Sequence, residues 1–244
     1  MTAPVLYEFP HSHFCEVARW ALEYKGIEYR SVCLLPGFHV QKMKRLATDS
    51  SVPVLVDGGD VIQGSARIVD YLEQIHPDRP LTPADAGAVD ELEREIAETI
   101  GVPLRRLCYY HLLPHADLVR YFFMHRAGRL ANLAFRMTYG VLRKKITEIY
   151  DCTEHGAESA KAELVRAIDA FDRRLAERPF LVGDGFSRVD LTFASLLVFL
   201  VMPPEYPVKW PRELADNELA QWFDTFRDSR SCQQVEFLYA NYRR

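Results

Sequence analysis

Residues 51–75, SVPVLVDGGDVIQGSARIVDYLEQI, place the tightest constraint on the fold of this chain. A short apolar strand begins at Pro53, which has no backbone N–H and is tolerated where a sheet ladder needs no donor. The DGGD sequence at 57–60 predicts a β-hairpin, because glycine adopts a positive φ at little cost. A helix with one apolar face follows, and Ser65 is predicted as its N-cap. Backbone amides at a helix start bind carboxylates and phosphates, so an anion site is predicted above Ser65.

Composition limits the class of protein. The 244 residues are 48% hydrophobic and 26% charged, with a net charge of −4, which predicts a globular core and argues against a nucleic-acid partner. The five cysteines show no CxxC spacing and suit a reducing compartment. We find no signal-peptide pattern and no apolar run near the ~20 residues that a membrane span needs. We therefore expect a soluble, cytoplasmic protein without a membrane partner.

Hydrophobic patterns ahead of the hairpin predict a strand at 5–9, a helix from 14 to 26 and a second strand at 28–34. A short helix is predicted within 40–47. With the hairpin and the helix that follows it, this order of elements is typical of an α/β thioredoxin-like domain, which we assign to residues 1–75.

The rest of the chain has a different character. Residues 76–85 contain three prolines and no periodicity, and they are predicted to be a linker. Residues 86–244 show only helical periodicities, with interruptions at Gly101, Pro103 and Pro114. We therefore predict an all-helical second domain at 86–244.

Two separated motifs resemble the glutathione transferase family. The first is VPVL at 52–55, followed by the hairpin, GS at 64–65 and IVDYL at 68–72. The second is FLVGDGFSRVDL at 180–191, which contains a capping-box variant. The resemblance implies a glutathione-transferase-like architecture: an α/β N-terminal thioredoxin-like domain plus an all-α C-terminal domain. It also implies a homodimer and glutathione as co-substrate.

The resemblance further implies how glutathione is held. The Val52–Pro53 bond is expected to be cis, with the Val52 backbone pairing with the cysteinyl part of glutathione. Ser65 is expected to bind the γ-glutamyl carboxylate. The residues predicted to bind glutathione are His13, Phe14, Val52, Pro53, Gln63 and Ser65.

Ser12 is the predicted catalytic residue, because the FPHSHFC sequence at 9–15 occupies the position of the family's active-site loop. A hydroxyl at a helix start can donate to a thiolate, and the helix dipole stabilises that anion further. A lower thiol pKa raises the thiolate fraction at neutral pH. Ser12 can also act only as a helix cap, which serine does routinely. The sequence leaves both interpretations open.

Two departures from the family pattern weaken the expected glutathione site. Gly64 stands where the family has an acidic residue that pairs with the γ-glutamyl ammonium, and Ser51 stands where some classes have a lysine. Losing a charge-assisted contact costs about 1.5–3 kcal/mol, so weak glutathione binding is expected, and Gly64→Glu is expected to tighten it unless Gly64 has a positive φ. Residues that can compensate are Gln63, Arg67, His39, Lys42 and Lys44.

The same loop also contains a cysteine and two histidines. Cys15 follows Ser12 by three residues, where glutaredoxins keep a second cysteine, but its spacing favours a buried, inert thiol. His11, His13 and Cys15 do not give a tetrahedral ligand set, so no metal is predicted.

The acceptor pocket is predicted between the loop and the first helices of the second domain. Arg105, Arg106, Tyr109, Tyr110 and His111 offer positive charge and aromatic walls there. Arg106, Tyr109 and Tyr110 are the predicted substrate-binding residues. The predicted function is conjugation of glutathione, or a related thiol, to an electrophilic apolar small molecule. A non-catalytic binding or scaffolding protein and a thiol–disulfide reductase are the rival hypotheses.

Overall fold

The computed structural model describes residues 3–83, 86–124, 128–209 and 218–243. A four-stranded mixed sheet with strand order β2-β1-β3-β4 forms the first half. β1 pairs with β2 in parallel and with β3 antiparallel, and β3 and β4 form the predicted hairpin. The strands are β1 Val5–Glu8, β2 Arg30–Cys33, β3 Val54–Asp57 and β4 Asp60–Gln63.

Three helices accompany this sheet: α1 His13–Tyr24, α2 His39–Leu46 and α3 Ser65–Ile75. α1 and α3 pack against each other, and Trp20 of α1, Leu55 of β3 and Ile68 of α3 are fully buried in one hydrophobic cluster. The predicted short helix within 40–47 is confirmed as α2. The Val52–Pro53 peptide bond is cis, as the resemblance implied.

The start of α3 differs from the prediction. Gly64 is the N-cap, with φ +98° and ψ 142°, and Ser65 is the first helical residue. The prediction of Ser65 as N-cap is therefore wrong. The reason is local: the Gly64 amide donates to the Pro53 carbonyl at 2.9 Å, and its conformation turns the chain from β4 into the helix.

Within the described residues, every element after β4 is helical, which confirms the fold class. α4 runs into α5 through a π-helical segment, Ala97–Gly101, at the interruption that Gly101 and Pro103 predicted. The break at Pro114 separates α5 from α6, but the end of α6 was not predicted. The helices are α4 Ala86–Ile96, α5 Val102–Leu112, α6 Ala116–Met124, α7 Arg129–Tyr150, α8 Glu154–Glu177, α9 Arg188–Val201, α10 Glu218–Asp224 and α11 Arg230–Tyr242.

The segment predicted as a linker is anchored. Leu81 is 1% exposed, and the Glu73 carboxylate accepts hydrogen bonds from the backbone amides of Leu81 and Thr82. Residues 84 and 85 lie outside the described residues.

The α9 start carries the second motif. The Asp190 carboxylate, fully buried, accepts from the backbone amide of Ser187 at 3.0 Å and from that of Leu181 at 2.9 Å. Ser187 also donates its hydroxyl to Asp190 at 2.7 Å. The predicted capping box is confirmed, and it positions α9 against α1.

Ion pairs join the two halves. Arg188 on α9 pairs with Asp70 on α3 at 2.5 Å and with Glu93 on α4 at 2.8 Å. The Trp20 indole donates to the carbonyl of Tyr242 at 3.1 Å.

In the part of the chain that the structure describes, no helix is both long enough and apolar enough to cross a bilayer.

Candidate active site at one edge of the sheet

Three segments of the chain meet at one end of the sheet. β1 leads into the loop that carries Ser12, and β3 begins directly after Pro53. Because β1 and β3 are antiparallel with Tyr7 opposite Val54, the loop and the cis proline lie side by side. Gln63 also pairs with Val54, so β4 delivers the start of α3 to the same end. The strand register therefore brings the predicted thiol-binding residues close together at this end of the sheet.

Ser12 is the N-cap of α1. Its hydroxyl oxygen accepts a hydrogen bond from the backbone amide of Cys15 at 3.3 Å. A hydroxyl that accepts at a cap still has its own proton to donate. Capping and thiolate stabilisation are therefore compatible in this geometry, and the catalytic role of Ser12 stays a prediction.

A buried ion network lies beneath this loop. Arg19, 6% exposed, pairs with Glu16 at 2.8 Å and with Glu8. Glu16 also pairs with Arg243, which follows α11, at 2.9 Å. Burial of charge is costly unless it is paired, and here each ion has a partner.

The two histidines of the loop take different places. His11 contacts the Phe122 carbonyl through its Nε2 and packs edge-on against the Phe122 ring, so α6 covers the loop. His13 is 2% exposed and packs against Phe14 and Phe199. Burial, together with the nearby charge of Arg105, lowers the pKa of His13 to about 3. His13 is therefore a neutral interior ring, and its predicted contact with glutathione stays a prediction that its burial does not support.

Cys15 is fully buried. Burial raises the pKa of its thiol to about 12, despite the nearby guanidinium of Arg19. A thiol with this pKa is not a nucleophile at neutral pH. The expected inert, structural role of Cys15 is supported, and the reductase hypothesis loses its candidate thiol.

Gln63 holds the segment that precedes the cis proline. Its amide oxygen accepts from the backbone amide of Thr48 at 3.1 Å, and its amide nitrogen donates to the carbonyl of Ser51 at 2.9 Å. The nitrogen also reaches the Asp49 carboxylate at 3.0 Å. Gln63 thus shapes the wall of the site, and its predicted contact with glutathione stays a prediction.

Ser65 lines a cavity of about 310 Å³ between the two halves of the molecule. The cavity is bounded by Phe14 from α1, by α3 and α4, and by α9. No hydrogen bond to the Ser65 hydroxyl forms among the described residues. A serine hydroxyl and helix-start amides facing a cavity of this size can hold the carboxylate of an amino-acid group.

Three carboxylates share this cavity. Asp70 and Glu93 are both paired with Arg188, and Glu93 also accepts from the Thr192 hydroxyl at 3.0 Å. Asp90 lines the same cavity, is exposed, and forms no ion pair among the described residues. The sequence did not reveal this set, because Asp70 lies on α3 whereas Asp90 and Glu93 lie on α4, and only the fold brings the two helices together.

The predicted acceptor residues lie on α5. The Nε of Arg106 donates to the Tyr150 carbonyl at 3.1 Å, and its Nη1 lies 3.9 Å from Glu163. Tyr109 packs on Tyr150 with ring centroids 5.4 Å apart, and burial raises its pKa. Tyr110 packs edge-on against His111. Their role in substrate binding stays a prediction, since Arg106 and Tyr109 already serve the contact between α5 and α7.

Gly101 sets how closely α5 approaches the loop. A Cβ at this position would lie 2.8 Å from Cζ of Phe14 and 2.8 Å from Cδ1 of Leu196. Glycine therefore allows the π-helical segment to pack directly on the first turn of α1.

Among the described residues, no group of three or more His, Cys, Asp or Glu side chains is placed to hold a metal ion.

Comparison with known families gives two matches on this chain. Residues 6–80 match the glutathione S-transferase N-terminal domain, and residues 153–225 match the glutathione S-transferase C-terminal domain. The matched segments include both motifs described above.

Curated relatives include proteins of several named activities. A glutathione S-transferase TCHQD of Arabidopsis thaliana is 27% identical over 80% of this chain and 76% of its own length. A tetrachloro-p-hydroquinone reductive dehalogenase of Sphingobium chlorophenolicum is 27% identical over 81% of this chain and 82% of its own length. A probable maleylacetoacetate isomerase of Caenorhabditis elegans is 40% identical, but the match covers only 34% of this chain and 39% of that protein.

Among solved structures, a glutathione S-transferase of Ceriporiopsis subvermispora in complex with glutathione superposes with a TM-score of 0.68. The alignment covers 99% of this chain and 98% of that chain at 16% identity. At this identity the likeness concerns the fold.

Proposed function

Because this chain belongs to the glutathione S-transferase superfamily, we propose that it is an enzyme that conjugates glutathione to an electrophilic small molecule. The observation that carries the proposal is the position of the Ser12 hydroxyl. It caps α1 as an acceptor and keeps its proton to donate, and it belongs to the loop that the β1–β3 register brings to the same end of the sheet as the cis Val52–Pro53 bond.

Glutathione supplies the thiol in this scheme. The Ser12 hydroxyl donates to the sulfur, and the amide end of the α1 dipole favours the thiolate by typically about 0.3–1 kcal/mol. The backbone of Val52, next to Pro53, pairs with the cysteinyl unit. These groups lower the thiol pKa, so that more of the thiol is ionised at neutral pH.

The γ-glutamyl end is assigned to the cavity beside Ser65. The Ser65 hydroxyl and the first amides of α3 receive its carboxylate. Gly64 cannot supply an acid for the ammonium, but Asp90 of α4 lines the same cavity and is not committed to an ion pair among the described residues. The carboxylate that the family places before the serine is thus replaced from the helical half.

The fit of glutathione is supported by polar groups that the fold leaves without partners. The Ser65 hydroxyl and the Asp90 carboxylate line a common cavity, and a neutral donor and a negative charge suit the carboxylate and the ammonium of an α-amino acid, respectively. The solved relatives that bind glutathione share this fold. The relatives' named activities include glutathione transfer and reductive dehalogenation, which favours a soft electrophile with a leaving group.

We further assign residues 1–75 to the glutathione-binding domain, 76–85 to the linker and 86–244 to the domain that faces the electrophile. A homodimer in the cytoplasm is part of the same proposal, by analogy with the superfamily.

Two measurements test the proposal. The first is calorimetric titration with glutathione, with S-methylglutathione as a ligand that cannot form a thiolate. The second is turnover of glutathione with 1-chloro-2,4-dinitrobenzene. Saturable binding with turnover is expected. Binding without turnover against a panel of electrophiles, or the absence of binding, would overturn the proposal and support a scaffolding role.

A further inference from the structure

Arg105 carries a positive charge that the described part of the chain does not neutralise. Its guanidinium lies over the ring of Tyr150 at 4.4 Å and over that of Phe14 at 5.4 Å. Its Nε is buried and has no hydrogen-bond partner. No carboxylate among the described residues lies within ion-pair distance. Ring faces attract a guanidinium, but they do not satisfy its N–H donors.

The neighbouring arginine shows the contrast. Arg106 donates to the Tyr150 carbonyl at 3.1 Å and approaches the Glu163 carboxylate at 3.9 Å. One arginine of the pair therefore ties α5 to α7 and α8. The other, Arg105, lies between two rings and donates no hydrogen bond within the part of the chain that the structure describes.

A second buried polar group lies next to Arg105. His13, the residue after Ser12, is 2% exposed, and its ring nitrogens form no hydrogen bond of normal geometry, although the backbone of Gly101 lies close to the ring. Arg105 is close enough for its charge to act on this ring. Buried donors without partners are rare in folded proteins, and the Nε of Arg105 beside this loop indicates a position for an acceptor group.

Arg105 is not part of the proposed glutathione subsites, because it lies on a different side of the Ser12 loop. Phe14 lines the cavity that contains Ser65, while Arg105 stacks on the same ring from α5. The γ-glutamyl carboxylate is assigned to the start of α3, and Lys42 on α2, which lies over Tyr7, also belongs to the first half of the molecule. Arg105 lies on α5, on the helical side of Phe14. The electrophile is expected on that side.

We propose that the electrophile is an anion, and that Arg105 binds its carboxylate or phenolate group between the rings of Phe14 and Tyr150. This inference rests on the proposed function. Guanidinium is suited to planar oxyanions, because its N–H groups form a rigid fork that matches two oxygens. The stacked rings fix the plane of that fork, so the anionic end of the substrate is oriented before reaction.

Two electrophiles that differ in charge test this inference. In 4-chloro-3-nitrobenzoate and 4-chloro-3-nitrobenzamide, the thiolate sulfur bonds to the carbon that carries chlorine. The C–Cl bond breaks, chloride leaves with the bonding pair, and the thiol proton passes to solvent. Each kcat/KM is divided by the rate constant of the uncatalysed reaction with glutathione. Each compound is also titrated into the protein without glutathione, to give a Kd that is independent of turnover.

The protein is expected to prefer the benzoate by roughly tenfold or more, as expected for a charge-assisted contact. In Arg105→Met, whose apolar side chain fills the space between the rings, this preference should disappear. Arg105→Lys keeps the charge but lacks the planar fork, so it should retain only part of the preference. Arg174→Gln is the matched control, since Arg174 also stacks on a ring, Phe171 at 4.8 Å, but is paired with Glu95; it should not change the preference.

Several results would overturn the inference. One is an equal Kd for the two compounds with the unaltered protein. Another is an equal decrease in kcat/KM for both compounds in Arg105→Met, which would show that Arg105 only stabilises the conformation of the loop. If Arg105→Met does not fold, an unchanged preference in a folded Arg105→Gln protein, which has no charge at this position, has the same consequence. A failure of the proposed function gives a different result. The protein would then not bind glutathione, but the Kd of each compound could still be measured.

Discussion

The Nη2 of Arg19 donates a hydrogen bond to the carbonyl oxygen of Pro10 at 3.1 Å, so a buried side chain of α1 holds the loop that carries Ser12. The same guanidinium is paired with Glu16 and Glu8. The loop backbone is thus attached to an ion network in the interior. Its position depends on residues that do not contact a ligand.

Arg19→Met should therefore lower both stability and activity. The substitution leaves Glu8 buried without its partner, and breaking a buried pair in this way costs about 3–5 kcal/mol. Urea unfolding measures that loss. Arg227→Met is the control: it removes an exposed pair with Asp224, and such pairs contribute little. A stable Arg19→Met protein with full activity would contradict the positioning role.

Ser12→Ala should lower turnover by roughly tenfold or more, because it removes a donor from the thiolate. It also removes an N-cap, which costs about 0.5–2 kcal/mol. Ser229→Ala separates the two effects, since Ser229 caps α11 by accepting from the Cys232 amide at 3.1 Å. That control should show the stability loss without the loss of turnover. Equal turnover in both variants would leave Ser12 with capping alone.

Ser12→Cys should change the reaction type. A cysteine at the start of α1 would have its pKa lowered by the helix amides, and the thiolate would exchange with disulfides. An assay with a glutathione mixed disulfide is expected to show activity that the unaltered protein lacks. Cys15 should not contribute, because burial raises its pKa to about 12.

The sequence predicted those parts of the fold that local patterns specify. The hairpin followed from glycine at 58 and 59, both of which have positive φ, and the helices followed from apolar spacing. The N-cap of α3 was assigned one residue too late, because the conformation of Gly64 depends on its hydrogen bond to Pro53 across the sheet. Such a pairing is not visible in a run of residues.

The site was harder to predict than the fold for a related reason. Ser12 and Ser65 were found by resemblance to a family. Asp90 and Glu93 are three residues apart on α4, but Arg188 lies on α9, and no spacing in the sequence relates the two helices. The unpaired state of Arg105 was also invisible, because the sequence shows two adjacent arginines and not which one has a partner.

Gly64→Glu is expected to destabilise the protein and not to tighten glutathione binding. Gly64 has φ +98°, a conformation that costs other residues about 1–3 kcal/mol. Space is not the obstacle, since an added Cβ would meet nothing within 4 Å. The tightening expected from the sequence was conditional on a φ outside this region, and the structure does not meet that condition. Gly64→Ala should show the same loss, whereas Gly140→Ala, within α7, should stabilise by about 0.5–1 kcal/mol. Thermal melting and glutathione titration of the three variants check these outcomes.

Asp90→Asn should weaken glutathione binding specifically through the ligand's ammonium group. Asp70 and Glu93 are already paired with Arg188, so Asp90 is the carboxylate of the cavity left for a cation among the described residues. Loss of a charge-assisted contact costs about 1.5–3 kcal/mol, or roughly one to two decades in Kd. The unaltered protein should bind glutathione more tightly than an analogue that lacks the α-amino group. Asp90→Asn should bind glutathione and the analogue with equal, weak affinity. Glu91→Gln, an exposed position of the same helix, should leave the difference between the two ligands unchanged. If Asp90→Asn still distinguishes the two ligands by the full factor, another group receives the ammonium.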